Sequence, residues 1–369
     1  MEIKRNILLN PGPATTTDSV KMSQVVSDIC PREKEFGDVM EYISSSLTKI
    51  AGGDERYTTV LLAGSGTAAM DAMINSVVPD KKKILIINNG AYGDRMAKIA
   101  KAYSIGLVEI KYDWCVFPKI SDIEQALKQD PEIDCIGMVH HETTTGMLNP
   151  VPEIGCLCKK YGKTFLVDSI SSFAGIPFSI QEYNIDFMAS TSNKCIQGMA
   201  GCAFVICKTE SLLKTKSYKP RSFYLNLYSQ YEYFSKSRQM QFTPPVQILY
   251  ALKKAIEEFW QEGAQNRHKR YLENWKTLIL GMARLGFKKL LPDEQESHIL
   301  TTFHYPDSTY FDFDRMHDLV YKEGFTIYPG KIGGKDTFRL ANMGDINCQD
   351  IEAFCHVLEN VLKEMRVLP

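Results

Sequence analysis

The sequence predicts an α/β fold: a mostly parallel, seven-stranded sheet between helices, followed by a smaller C-terminal α+β domain. Three observations carry this. Short apolar runs alternate with amphipathic stretches from Thr58 to Cys207, which is how strands linked by crossover helices read. Beyond Lys219-Pro220 that alternation gives way to two long helix-periodic runs and a mixed strand–helix tail. The 369 residues also exceed the usual span of one core, so one large and one smaller domain are expected.

The apolar runs place strands at Thr58–Ala63, Ile84–Asn88, Leu107–Lys111, Cys135–His140, Thr164–Val167, Phe187–Ser190 and Cys202–Cys207. Between them the 3.6-residue period predicts helices near Thr67–Val77, Tyr92–Tyr103, Ile120–Gln129 and Pro152–Tyr161. Pro244-Pro245 opens a helix through Glu262, which Gly263 ends, and a second runs from Ala264 to Leu285 before Gly286. The tail reads as a strand (Ile299–His304), a helix (Phe313–Glu323), strands at Thr326–Tyr328 and Thr337–Leu340, and a last helix from Gln349 to Glu364. The division is therefore 1–245 and 246–369, the second part including a long connecting helix. The first ~15 residues are expected to pack on the small domain.

The chain carries 43 basic and 44 acidic residues, a formal net charge of −1, so there is no electrostatic reason to expect nucleic acid or an anionic membrane as partner. The N-terminus lacks the apolar core of a signal peptide, and no segment is long and apolar enough to span a bilayer. The ten cysteines form no CxxC pair. They read as reduced thiols of a cytoplasmic protein. Cys156-x-Cys158 lacks the further ligands a metal site needs, so no metal is expected.

The most informative pattern is Ser190-Thr191-Ser192-Asn193-Lys194-Cys195-Ile196-Gln197-Gly198, downstream of Leu166-Val167-Asp168-Ser169. Lys194 lies between two apolar strands, preceded by hydroxyl residues and followed by glycines. Burial disfavours the charged form of an amine, which makes such a lysine available for imine chemistry. Asp168 closes an apolar strand, so its carboxylate belongs at the rim of the sheet, as a helix cap or turn residue or as the partner of a cation. Gly64-Ser65-Gly66-Thr67 is a glycine-rich turn between strand and helix. It reads as a plain turn, as a phosphate cradle, or, with Ala69, as a dinucleotide fingerprint. The last wants an acidic residue after the next strand, which ends instead in Asn88-Asn89-Gly90. An amine, a carboxylate and a phosphate cradle in this order suit pyridoxal phosphate (PLP).

Two further features point the same way. In the block His140-His141-Glu142-Thr143-Thr144-Thr145-Gly146, which follows a buried strand, either histidine alone reads as structural. The density of hydroxyls favours the wall of a site at the carboxyl end of the sheet. Arg339, in the apolar strand Thr337-Phe338-Arg339-Leu340, needs an anionic partner, from the protein or from a ligand.

Taken together these motifs resemble the class V aminotransferases of PLP fold type I. The resemblance runs essentially the length of the chain. It includes Leu9-Asn10-Pro11-Gly12-Pro13, Gly64-Ser65-Gly66, Asn89-Gly90-Ala91-Tyr92-Gly93, Phe242-Thr243-Pro244, Tyr328-Pro329-Gly330-Lys331 and Phe338-Arg339, besides the blocks already quoted. It implies that Lys194 is the Schiff-base lysine and Asp168 the partner of the pyridine nitrogen. Ser65, Gly66 and Thr67 would hold the phosphate, with Thr243 of the partner subunit in a homodimer. Thr145 and Ser192 would complete the cofactor site. Arg339 would hold the substrate anion, beside Gly12 and Pro13. Within the class, the Asn-Lys-Cys-Ile-Gln-Gly and Glu-Thr-Thr-Thr-Gly strings are rather specific for the phosphonate branch, so the implied substrates are 2-aminoethylphosphonate and pyruvate. His141 stands where some relatives have serine, which touches neither lysine, aspartate nor arginine. The competing readings are an alanine–glyoxylate or serine–pyruvate transaminase, a desulfurase, for which no reactive cysteine stands out, and a PLP-binding protein without turnover.

Overall fold

The computed structural model describes residues 4–330 and 336–369. The chain enters through a two-residue strand, β1 (Ile7–Leu8), a short helix, α1 (Asp18–Met22), and a long one, α2 (Lys34–Ile50). Strand β2 (Tyr57–Ala63) leads to α3 (Gly66–Val77), β3 (Lys83–Asn88) to α4 (Ala91–Ala102), and β4 (Gly106–Lys111) to α5 (Ile120–Gln129). Strand β5 (Ile133–Val139) is followed by a small hairpin, β6 (His141–Glu142) with β7 (Met147–Leu148), and then by α6 (Val151–Tyr161). Strands β8 (Thr164–Asp168), β9 (Phe187–Thr191) and β10 (Cys202–Lys208) complete a seven-stranded sheet in the order β2-β10-β9-β8-β5-β3-β4.

Every neighbouring pair is parallel except those that β10 makes with β2 and β9. Successive side chains of a strand point to opposite faces. Leu85 and Ile87 of β3 accordingly join the core under α2, α5 and α6, while Ile84 and Ile86 join the core under α3 and α4. Burial on both faces is why these strands read as unbroken apolar runs.

The one reversed central strand positions the lysine. Antiparallel neighbours need no crossover helix, so the chain turns from β9 directly into β10 through residues 192–201. That turn lies on the edge of the sheet where β2, β3, β5, β8 and β9 all end.

After α7 (Thr209–Lys214), the polar aromatic stretch before Gln241 contains a helix that its pattern does not announce, α8 (Leu227–Ser237), started by the Asn226 side chain accepting from Ser229 N–H. Helix α9 (Val246–Glu262) buries Leu249, Leu252, Ile256 and Phe259 in the large core, and α10 (Ala264–Arg284) leads away from it. A second core gathers α10, β11 (Leu300–His304), α11 (Phe313–Lys322), β12 (Phe325–Thr326), β14 (Thr337–Ala341) and α12 (Cys348–Glu364), together with Ile7 and Leu9. The strand expected at Thr326–Tyr328 is two: β12 pairs in parallel with β1, and β13 (Tyr328–Pro329) pairs with β14. Among the described residues no helix is long and apolar enough to cross a membrane. Cys30 and Cys156 are exposed, and on α6 Cys156 faces out while Cys158 packs inward, so their sulfurs do not converge.

Candidate active site

The residues singled out from the sequence, Thr243 apart, converge on the carboxyl edge of the sheet. Lys194 reaches from the β9–β10 turn to the carbonyl of Pro11, where its Nζ donates. Gly12 lies against the same side chain at φ +136°, and a Cβ there would run into Lys194 Nζ, with Cε and Cδ 2.6 and 2.7 Å away. The N-terminal segment is tied to the turn by Ala14 N–H donating to Asn193 O at 3.0 Å. Pro13 is exposed beside it.

Asp168 ends β8 with its carboxylate 2% exposed. Its Oδ1 accepts from Ile170 N–H at 2.9 Å. Burial pushes this carboxyl up to about 7. The hydrogen bond from Ile170 and the charges of Arg95 and Lys194 pull it down, and the charge of Glu142 adds to the rise. Among the described residues the pull of those two cations does not offset the cost of burying the charge.

Glu142 organises the wall next to it, a role its sequence position did not reveal. Fully buried, it accepts from the N–H groups of Tyr92 (3.1 Å) and Gly93 (3.3 Å) at the start of α4, and from Thr144 N–H (3.1 Å) and Thr144 Oγ1 (2.5 Å). Thr144 Oγ1 in turn accepts from Ala91 N–H at 3.1 Å. A carboxylate at the positive end of a helix is favourable, although burial still raises this carboxyl above its ordinary value. Side-chain bulk at Gly90 would overlap the Glu142 carboxyl. Thr145 is buried, its hydroxyl accepting from Met147 N–H at 3.3 Å and donating to Glu142 O at 3.4 Å.

Helix α4 presents Arg95, which stacks over Tyr92 at 4.6 Å and donates to Thr67 Oγ1 at 3.2 Å. Ser65 is exposed at the start of α3, its hydroxyl not used as a cap. Gly66 packs so closely on Ile170 that a Cβ would sit 2.9 Å from Cδ1. Ser192 is buried in the lysine turn, its hydroxyl donating to Met199 O. Thr243 is exposed, away from these groups in the chain, beside the stacked rings of Tyr224 and Phe242 (4.9 Å).

Arg339, on β14, is fully buried. Nε donates to Pro329 O at 3.0 Å and Nη1 to Thr143 O at 3.1 Å. Among the described residues Nη2 has no partner, and burial lowers the guanidinium's affinity for its proton. A buried cation with a free donor is costly unless an anion arrives. His141, its Nδ1 3.0 Å from Ser171 Oγ, also leaves Nε2 without a partner among the described residues, and burial pushes the ring down to about 3. Lys331, part of the motif after Tyr328, lies outside the described residues. Among the described residues no group of three or more His, Cys, Asp or Glu side chains is placed to hold a metal ion.

Residues 18–330 match the family described as aminotransferase class-V. A 2-aminoethylphosphonate–pyruvate transaminase of Lysinibacillus sphaericus is 40% identical over 357 residues, covering 96% of this chain and 97% of that protein. Its namesake in Salmonella heidelberg is 39% identical over 371 residues, covering 99% and 100%. Among solved structures, alanine–glyoxylate aminotransferase from Nostoc sp. superposes with a TM-score of 0.90 at 26% identity, covering 98% of this chain and 96% of that one. Pyridoxamine–pyruvate aminotransferase from Mesorhizobium loti gives 0.88 at 22%, covering 99% and 94%, a likeness of fold.

Proposed function

The chain belongs to the class-V aminotransferases, and from that premise we propose that it is a PLP-dependent transaminase that passes the amino group of 2-aminoethylphosphonate to pyruvate, giving phosphonoacetaldehyde and L-alanine. The observation that carries the substrate reading is Arg339 Nη2, a buried donor without a partner among the described residues, on a guanidinium whose Nη1 holds Thr143 O in the wall of the site. A protein that merely stored the cofactor would have no use for such a clamp.

The residues fit the cofactor. Asp168, raised by burial, would be drawn back to its ionised form by a protonated ring nitrogen. The exposed hydroxyl of Ser65, the helix start at Gly66 and the Thr67 hydroxyl would hold the phosphate, supported by Arg95 and by Thr243 of the partner subunit. Thr145 would border the ring, and Ser192 shapes the turn beneath it. Bound PLP supplies an electron sink at the substrate carbon that bears nitrogen. Lys194 would tether it and, once displaced by substrate amine, carry the proton at Nζ as general base and then acid. Arg339 binds phosphonate in one half-reaction and pyruvate carboxylate in the other, while Gly12 and Pro13 close the site over the amine.

The same reading makes the enzyme a cytoplasmic homodimer with composite sites. Phe223 is 82% exposed and packs beside Phe242, next to Thr243, an aromatic surface suited to a second copy. The test is kcat/KM with pyruvate as acceptor across 2-aminoethylphosphonate, taurine, serine, alanine and ethanolamine, with Lys194→Ala as the no-turnover control. The phosphonate should lead. Serine or alanine winning by a wide margin would move the protein to the alanine–glyoxylate branch.

A further inference from the structure

A phenol hydroxyl offers one proton and two lone pairs, and that of Tyr271 has a partner for each. Tyr271 lies on α10 and is completely buried. Its OH accepts from Gln197 Nε2 at 2.7 Å and from Gly344 N–H at 3.1 Å, and donates to Cys195 O at 3.4 Å. Two of these partners belong to the lysine turn. Gln197 is in the left-handed region at φ 64°, its N–H donating to Lys194 O at 2.8 Å. Non-glycine residues persist there when their surroundings hold them. The Cys195 carbonyl is held from a second side by Arg267 Nη1 at 3.1 Å, a buried arginine paired with Glu262.

The third partner belongs to the other half of the site. Gly344 follows β14, the strand that carries Arg339, and Asn342 between them donates to the backbone carbonyl of Tyr271 at 2.9 Å. One residue therefore grips the turn that bears the amine and the end of the strand that bears the guanidinium. Cys195 Sγ also meets Met343 Sδ at 3.4 Å, a second and softer link between those two segments.

We propose that Tyr271 is a positioning residue whose hydroxyl fixes the Lys194 turn relative to the Arg339 strand, and thereby sets the amine-to-anion length of the substrate that the site accepts. This rests on the proposed transaminase reading for the substrate, but not for the brace itself.

Tyr271→Phe keeps the ring and removes the hydroxyl, leaving Gln197 Nε2 and Gly344 N–H without their acceptor. In the cofactor-free protein, hydrogen exchange should quicken about tenfold in both 192–198 and 342–346, the usual worth of one buried hydrogen bond, with β5 unchanged. In the loaded enzyme, the kcat/KM ratio of 2-aminoethylphosphonate to 3-aminopropylphosphonate should fall about five- to tenfold. That ratio does not depend on how much enzyme is active, so simple destabilisation leaves it unmoved. Gln197→Met, which cuts one arm of the brace, should quicken exchange in 192–198 alone, and it decides the matter if Tyr271→Phe does not fold. Exchange unchanged in either segment of Tyr271→Phe overturns the brace, as does exchange in 342–346 rising with Gln197→Met. An unchanged ratio overturns the control of substrate length. Wild-type protein without turnover of either phosphonate sinks the transaminase reading, and the exchange arms still judge the brace.

Discussion

Gly12→Ala separates fold from function more cleanly than a change at the lysine itself. Gly12 stands at φ +136°, and a methyl there would lie 2.6 Å from Lys194 Cε and 2.7 Å from Cδ, with Nζ closer still. Carbon atoms pack at roughly 3.5–4.0 Å, so the lysine end or the Pro11–Pro13 segment must move by about 1 Å. The backbone strain of a non-glycine residue there costs about 1–3 kcal/mol, which a protein of this size survives with a modest fall in Tm. The amine fares worse. It loses the Pro11 carbonyl as its anchor, and a reacting group misplaced by about 1 Å loses on the order of a hundredfold in rate. Three measurements decide the matter: Tm of the cofactor-free protein, appearance of the cofactor's visible absorption band, and kcat for alanine formation. The expected pattern is a small change in the first, incomplete or shifted uptake in the second and a loss of about a hundredfold in the third. A kcat within twofold of wild type, with a normal absorption band, would refute the reasoning and leave Gly12 as a turn residue.

Asp168→Asn should abolish most turnover while changing the pH dependence of stability. Burial raises the Asp168 carboxyl from its ordinary 3.8 to about 7, so the folded, cofactor-free protein keeps a proton that the unfolded chain releases, and this group's contribution falls as pH rises through that window. The Tm difference should therefore shift in favour of the variant between about pH 4 and pH 7 and level off above. A pH-independent difference would contradict the assignment of the shift to Asp168. Arg339→Lys should weaken 2-aminoethylphosphonate and pyruvate together, by roughly 1.5–3 kcal/mol each, because a single ammonium nitrogen does not reproduce the planar fork that reaches Pro329 O from Nε and Thr143 O from Nη1 while directing Nη2 elsewhere. An effect on one substrate only would mean two separate anion sites. Phe223→Asp, in the exposed aromatic surface, should shift light scattering from dimer to monomer with loss of turnover, and a fully active monomer would remove Thr243 from the site.

The strands of the central sheet were legible because both of their faces are buried, which leaves unbroken apolar runs, and the ends expected for them differ from those observed by one or two residues. Lys194, Asp168 and Arg339 were legible for a related reason: each is a charged residue adjoining or inside such a run, where only a ligand or an ion pair makes it tolerable. Helix α8 was not, since Leu227-Tyr228-Ser229-Gln230-Tyr231 lacks a clear apolar period and its start depends on the Asn226 cap. The work of Glu142 was hidden because its partners, the first N–H groups of α4, are far away in the chain and meet it only when β3 pairs with β5. Tyr271 was hidden differently: a tyrosine on the inner face of an amphipathic helix reads as core, and nothing in its neighbours reveals three hydrogen-bond partners from two distant segments.

The pairing of β1 with β12 bears on how the protein is made. Ile7 and Leu8 pair with Phe325 and Thr326, 318 positions further along the chain. A pairing so distant in sequence closes late, because the loop entropy must be met before the contact returns anything. The large sheet can assemble on its own as the nascent chain lengthens, but Ile7 and Leu9, which flank the Pro11–Gly12 segment on its N-terminal side, have no core to enter until the second one exists. Pro11 and Gly12 are therefore brought against Lys194 only once the chain has been made through β12. A nascent chain that has completed its central sheet but not yet β12 still carries an open lysine, and that amine is enclosed only when the second core forms around Ile7 and Leu9.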